Sequence, residues 1–187
     1  TRSLPQLRRT GIQRANRQQA VPQQLWMEDC APDCPSPYSR DEANSTSRIR
    51  EPCVNEPRIV LLQSIPYAGH GVLGVAQWPD HVPFKVHRTF YVYGAPEGTC
   101  RADHAHRKQE QFLICLAGAV SFEVEHRKGK LSGKLSSPEH ALYIPPMCWV
   151  RLLINQTATV YVVLASGRYD ESDYIRDRAE FETLILS

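Results

Sequence analysis

Apolar and polar residues alternate in short runs over most of the second part of the chain, and runs of that length and period mark half-buried β-strands. Arg58-Ile-Val-Leu-Leu-Gln63 is one such run, Gly71-Val-Leu-Gly-Val-Ala-Gln77 a second, and Pro83 to Tyr93 a longer third. From Glu110 to Leu116 the residues are continuously apolar after the first two, which suits a buried strand. Ala119 to Glu125 alternates, placing Val120, Phe122 and Val124 on one face, and the turn His126-Arg-Lys-Gly129 ends it. Ala141-Leu-Tyr-Ile144 stops at Pro145-Pro146, Trp149 to Ile154 resumes, and Thr157 to Ala165 is a further β-branched run. Only the end of the chain changes period. Asp170 to Ile185 is rich in helix formers, with acids in its first turn and Tyr174, Phe181 and Ile185 at helical spacing, so it predicts one terminal helix. Many short strands with Gly and Pro turns and almost no helix between them describe an all-β, antiparallel jelly-roll barrel.

Residues 1–57 differ in kind. Pro, Gln, Ser and Arg dominate there, and no period is sustained. Arg2, Arg8, Arg9, Arg14 and Arg17 precede the first acid, Glu28, a composition that resembles organellar targeting sequence. The stretch is too polar to bury a core of its own, so it predicts an extended arm held by other protein subunits, with residues 58–187 as the folded domain. The sequence starts at Thr1, as that of a processed protein would. Cys30, Cys34 and Cys53 lack a second pair at metal-ligand spacing and are expected as free thiols. Six cysteines without a secretory signal favour a reducing compartment, in which the sequons at Asn44 and Asn155 carry no weight. A net charge of +2 does not argue for nucleic acid, and no apolar run reaches the length of a transmembrane segment.

The candidate chemistry lies between Arg88 and Gly118. His104-Ala-His106 in extended conformation puts two imidazoles on one face, suited to moving protons or to binding a metal. Arg88 and Arg101 are candidates to grip an anion, and Tyr91 to polarise an oxygen. A structural reading competes with this one: the histidines hydrogen-bond only to their neighbours, the arginines are solvated, and Tyr91 is core.

Gly98-x5-His104-x-His106-x3-Glu110, followed by Gly118, resembles the first cupin motif. The second motif is degraded: around Pro145-Pro-Met-Cys-Trp-Val150, Val150 stands where a metal-binding cupin supplies its last His, so neither a metal nor another cofactor is expected. A closer resemblance accounts for the same residues. Arg88-x-Phe-Tyr-Val-Tyr, Arg101-x-x-His-Ala-His, Glu-Gln-Phe-Leu-Ile, Leu142-Tyr-Ile-Pro-Pro, Val163-Leu-Ala-Ser and Tyr169-Asp-Glu-Ser-Asp-Tyr-Ile-Arg176 occur in the order of the sugar 3,4-ketoisomerases that act on dTDP-4-keto-6-deoxyglucose. The resemblance implies a metal-free cupin, usually a homodimer, whose paired histidines move a proton between adjacent sugar carbons. His104, His106 and Tyr91 would be catalytic, and Arg88 and Arg101 would bind the diphosphate of a dTDP-sugar. The chain departs from that family in three places, the first at His70-Gly71-Val-Leu73, where the family has Arg ahead of the Gly. Ala102 and Asp103 stand between Arg101 and His104, where the family has Gly first, and an extra carboxylate is expected near the diphosphate. Phe90 lacks the hydroxyl that a Tyr would offer.

Two functions are expected from these features. The arm favours a ketoisomerase-like accessory subunit of a larger organellar, mitochondrial assembly. The alternative is an active nucleotide-sugar 3,4-ketoisomerase, cytoplasmic if it is a free enzyme, that moves a ketone from C4 to C3 through an enediol.

Overall fold

The computed structural model describes residues 56–186, so the arm expected over 1–57, with Cys30, Cys34 and Cys53, lies almost wholly outside the described residues. Within them, twelve strands and one helix follow in the order β1 (Arg58–Leu61), β2 (Gln63–Tyr67), β3 (Gly71–Val75), β4 (Arg88–Val92), β5 (Cys100–His106), β6 (Gln111–Ala117), β7 (Val120–His126), β8 (Gly129–Leu135), β9 (His140–Ile144), β10 (Trp149–Ile154), β11 (Val160–Ala165), β12 (Tyr174–Ile175) and α1 (Arg178–Leu186). One sheet has the order β1-β9-β6-β11-β4, the other β12-β5-β10-β7-β8, and β2 pairs only with β3. All pairings are antiparallel. No helix among the described residues is long and apolar enough to cross a membrane.

Strand alternation sorts the core into layers. Leu113, Cys115, Val120, Phe122, Val124, Leu142, Ile144, Val150, Leu152, Ile154, Tyr161 and Val163 fill the space between the sheets. The opposite face of the first sheet presents Phe112, Ile114, Ala141 and Tyr143, covered by Leu62, Val82 and Phe84. The run from Pro83 therefore is not one strand. Its first residues form an irregular cover, and β4 begins only at Arg88. The outer face of the second sheet carries Ala105 and Trp149, against which Ile175 and Phe181 pack. Cys115 and Cys148 are free thiols in this interior; burial raises both, Cys148 to about 12, which removes them as nucleophiles.

The C-terminal helix is shorter than the period predicts, starting at Arg178 instead of near Asp170. Asp170 caps a 3-10 turn over Glu171–Asp173 by accepting from the Ser172 amide, and the chain then extends so that Tyr174 and Ile175 pair with His106 and Ala105. Ile175 is fully buried, and a tertiary β-pairing of this kind outweighs a local helical preference. Strand β8 was not marked by its sequence, Gly-Lys-Leu-Ser-Gly-Lys-Leu, in which only Leu131 and Leu135 are apolar; pairing with all of β7 holds it in place.

Candidate active site

The site is built at the open end of the space between the sheets, where β5, β6, β10, β11 and β4 line a cleft of about 350 Å³. Its walls include Phe90, Arg101, His104, Gln111, Tyr161 and Tyr174. Because Ala105 faces the outer core, His104 and His106 both face inward, as the triplet spacing requires. Their rings meet edge to face at 5.1 Å.

The two histidines have different surroundings. His106 is 6% exposed and is held at both nitrogens. Its Nδ1 lies 3.0 Å from Asp173 Oδ2, and the Gln111 Nε2 amide lies 2.9 Å from its Nε2. A carboxylate only accepts and an amide nitrogen only donates, so Nδ1 carries the proton and Nε2 is the acceptor. Although 3.0 Å is an ion-pair distance, burial outweighs the carboxylate and lowers the His106 pKa to about 4, so the contact is a hydrogen bond from a neutral ring. His104 donates from Nδ1 to the Ala102 carbonyl at 3.0 Å, which leaves the Nε2 lone pair without a partner among the described residues and on the wall of the cleft. Burial also lowers the His104 pKa below 6.5. Of the pair, His104 is the ring presented as a free base at neutral pH, and His106 is its fixed neighbour.

Asp173 was not picked out by the sequence as a site residue. It lies 67 positions from His106, and besides that ring it accepts from the amides of Lys108 and Gln109 at 2.8 and 3.2 Å. Tyr174, on the same segment, lies 4.9 Å from the His104 ring and 4.3 Å from the His106 ring. The Tyr-Asp-Glu-Ser-Asp-Tyr-Ile-Arg motif is thus the segment that closes over the histidines, a role that its helical composition masks.

Tyr91 presents most of its ring to solvent. Phe90 and Val92 pack toward the interior, so alternation turns the Tyr91 ring to the outer face of β4, where it is 66% exposed and stacks on Tyr93 at 6.0 Å. It is therefore not core. Tyr91 still borders the cleft, as do Tyr161 and Tyr174, while Phe90 brings no hydroxyl into it. Arg101 borders the cleft and hydrogen-bonds Tyr161. Arg88 donates to Gln109 Oε1 at 3.0 Å and lies over Phe90 and Tyr169. It forms no ion pair among the described residues, and its buried Nε has no hydrogen-bond partner there. The carboxylate of Asp103 is not beside these arginines as expected; it points away from the cleft to Trp149 and Arg151.

Glu110, the acid of the cupin motif, is also turned away. Along β6, Gln111 and Leu113 face inward and Phe112 faces out, so Glu110 is on the outer side, where Tyr143 donates to it at 2.6 Å. The position that faces the histidines holds the amide of Gln111, a poor metal ligand.

Acid stability follows from the buried rings. As pH falls below 6.5 the unfolded chain protonates its histidines, whereas folded His106 resists until about 4 and His104 also resists. Stability is therefore complete above 6.5 and is expected to fall progressively toward pH 4, in a window set chiefly by His106. Urea midpoints measured across that window check this, and a His106→Asn variant is expected to flatten the slope. A midpoint that does not move would mean that the ring is not buried in its neutral form.

A cupin-type two-sheet barrel with a histidine-lined cleft and a short closing helix defines the class to which this molecule belongs. Within it, residues 55–185 match the family described as FdtA: WxcM-like, C-terminal, and the chain is a member of that family. It is 34% identical over 115 residues to a TDP-4-oxo-6-deoxy-alpha-D-glucose-3,4-oxoisomerase of Aneurinibacillus thermoaerophilus, covering 62% of this chain and 83% of that one. The structure superposes on a sugar 3,4-ketoisomerase of Thermoanaerobacterium thermosaccharolyticum crystallised with TDP, with a TM-score of 0.66 and 28% identity over 70% of this chain and 94% of the other. A TDP-fucose-3,4-ketoisomerase of Campylobacter jejuni gives a TM-score of 0.64 and 29% identity over 68% of this chain and 94% of the other. These relatives overturn the expectation of an accessory subunit in an organellar assembly. They are named as isomerases, and the match covers those chains almost end to end, so the composition of residues 1–57 does not decide the function.

Proposed function

We propose that the protein is a nucleotide-sugar 3,4-ketoisomerase that moves a ketone between C4 and C3 of a TDP-linked 4-keto-6-deoxy sugar. The observation that carries this reading is the free Nε2 of His104, neutral and facing a cleft shared with Arg101 and Tyr174, in a chain of a family whose relatives catalyse this reaction. His104 takes the proton from C3, alpha to the C4 ketone, and the electron pair moves into a C3–C4 enediolate. The proton on O3 passes to O4, a transfer between adjacent oxygens for which the phenol of Tyr174, whose ring lies 4.9 Å from that of His104 on the cleft wall, is the candidate acid-base group. The imidazolium of His104 then returns its proton to C4 on the same face as C3 becomes the ketone. His106 does not exchange protons with the sugar. Bonded at both nitrogens, it fixes the edge against which His104 stands. Arg101 and Arg88 supply the positive charge for the diphosphate, and Arg88 has donor capacity to spare.

The test is turnover of TDP-4-keto-6-deoxyglucose by the full chain, with the product ketone located by NMR. Because the base must be neutral and its pKa is lowered, kcat is expected to be level at neutral pH and to fall only on an acid limb below 6.5. Absence of turnover by folded protein, or an acid limb above that value, would count against His104 as the base.

A further inference from the structure

We propose that Asp103 is a positioning residue: it anchors a left-handed bulge at Ala102–Asp103 to Trp149 and Arg151 and so places Arg101 and His104 together on the cleft side of β5. The inference deepens the isomerase reading, on which its activity arm rests.

In a regular strand, residues three apart point to opposite faces, so Arg101 and His104 should not share a cleft. The register shows why they do. Leu152 pairs with Arg101, Arg151 with Ala102 and Val150 with His104, so β5 spends one extra residue, Asp103, against β10. Leu152 and Val150 both face the inter-sheet core, and their partners therefore face it too. The bulge is made by two consecutive non-glycine residues at positive φ, Ala102 at 65° and Asp103 at 61°. Side chains disfavour that region, and such a pair persists only where its surroundings hold it. The carboxylate of Asp103 supplies the hold. Its Oδ1 accepts from the Trp149 indole at 3.1 Å and from Arg151 Nε and Nη2 at 3.2 and 3.1 Å, all on β10. The same turn aims the Ala102 carbonyl at His104 Nδ1, which fixes the tautomer that leaves Nε2 free. Asp103 does not line the cleft; besides a Coulomb attraction that opposes the lowering of the His104 pKa, it acts through the backbone.

The experiment compares full-length wild-type protein with Asp103→Ala, Asp103→Asn and the double variant A102G/D103G. Kinetics are measured with TDP-4-keto-6-deoxyglucose, and ring ¹⁵N NMR follows the tautomer and titration of His104. Asp103→Ala is expected to lower kcat/KM by about tenfold or more, the scale on which a displaced catalytic group costs rate. The Nδ1–H form of His104 should give way to mixed tautomers. Asp103→Asn keeps a carbonyl acceptor and is expected to lose less. The glycine pair adopts positive φ without an anchor and is expected to regain part of the rate and the wild-type tautomer. Wild-type kinetics with an unchanged His104 signal in Asp103→Ala would overturn the proposal, as would a loss of rate with that signal unmoved. If Asp103→Ala does not fold, Arg151→Gln removes two of the three hydrogen bonds at an exposed position and must shift the His104 signal the same way, or the proposal fails. The NMR arm needs no turnover, so it decides the positioning role even if the isomerase reading fails.

Discussion

Replacing His104 by Asn is expected to lower kcat by about 10²–10⁴, the usual contribution of a positioned acid-base group, while the protein melts close to the wild-type temperature. Asparagine retains an N–H for the Ala102 carbonyl but has no basic nitrogen to offer the cleft. The companion variant His106→Asn separates the two rings. It can keep an N–H for Asp173 but removes the buried acceptor of Gln111, so its main effect should be on stability, with about 1–3 kcal/mol lost for the amide left unpaired. Steady-state kinetics and thermal melts on both variants make the check. A His104→Asn protein with near wild-type kcat would remove this ring from the mechanism. A His106→Asn protein that melts normally and has lost turnover would return the shuttle role to the second ring.

Gly118→Ala is expected to lose about 3 kcal/mol or more and to melt at least about 10 °C lower. Gly118 makes the turn from β6 to β7 at φ 71°, where an alanine already costs about 1–2 kcal/mol. An added Cβ would stand 2.5 Å from Thr159 Oγ1 and 2.7 Å from its Cα, and backbone at that range cannot rotate aside. Thr159 is fully buried, and its hydroxyl both accepts from the Ala119 amide and donates to the Ala119 carbonyl at 3.1 Å, so moving it breaks the pair of bonds that joins the two turns. Gly98→Ala is the control. It has φ 81° but open space around the new methyl, so only the dihedral cost of about 1–2 kcal/mol applies. Calorimetry of the two variants tests the difference, and equal melting temperatures would show that the Thr159 contact yields freely.

Much of the fold is legible in the sequence alone. Val120, Phe122 and Val124 fall on the interior face as their alternation requires, and the runs at Trp149–Ile154 and Val160–Ala165 became central strands of their sheets. Where the sequence was ambiguous, the cause is physical. Tyr174 and Ile175 sit in a segment of helix formers, yet their pairing with His106 and Ala105 buries Ile175 completely, and burial of this kind is invisible to a local period. Tyr91 and Phe90 are adjacent aromatics, and nothing in their order tells which of the two packs its ring against the core.

The sequence by itself determined the antiparallel barrel, the terminal helix and the inward direction of His104 and His106, because periods of two and 3.6 are properties of the backbone that apolar residues must match. It also carried the family, through motifs spread from Arg88 to Arg176. Tertiary structure alone decided what each of those residues does. The free lone pair of His104, the double bonding of His106, the outward turn of Tyr91 and Glu110 and the pairing of Asp103 with Trp149 all depend on partners dozens of positions away. Hydrogen-bond partners, burial and bulge register are set by which strands come to lie side by side, and sidedness within one strand cannot specify the neighbour across the next.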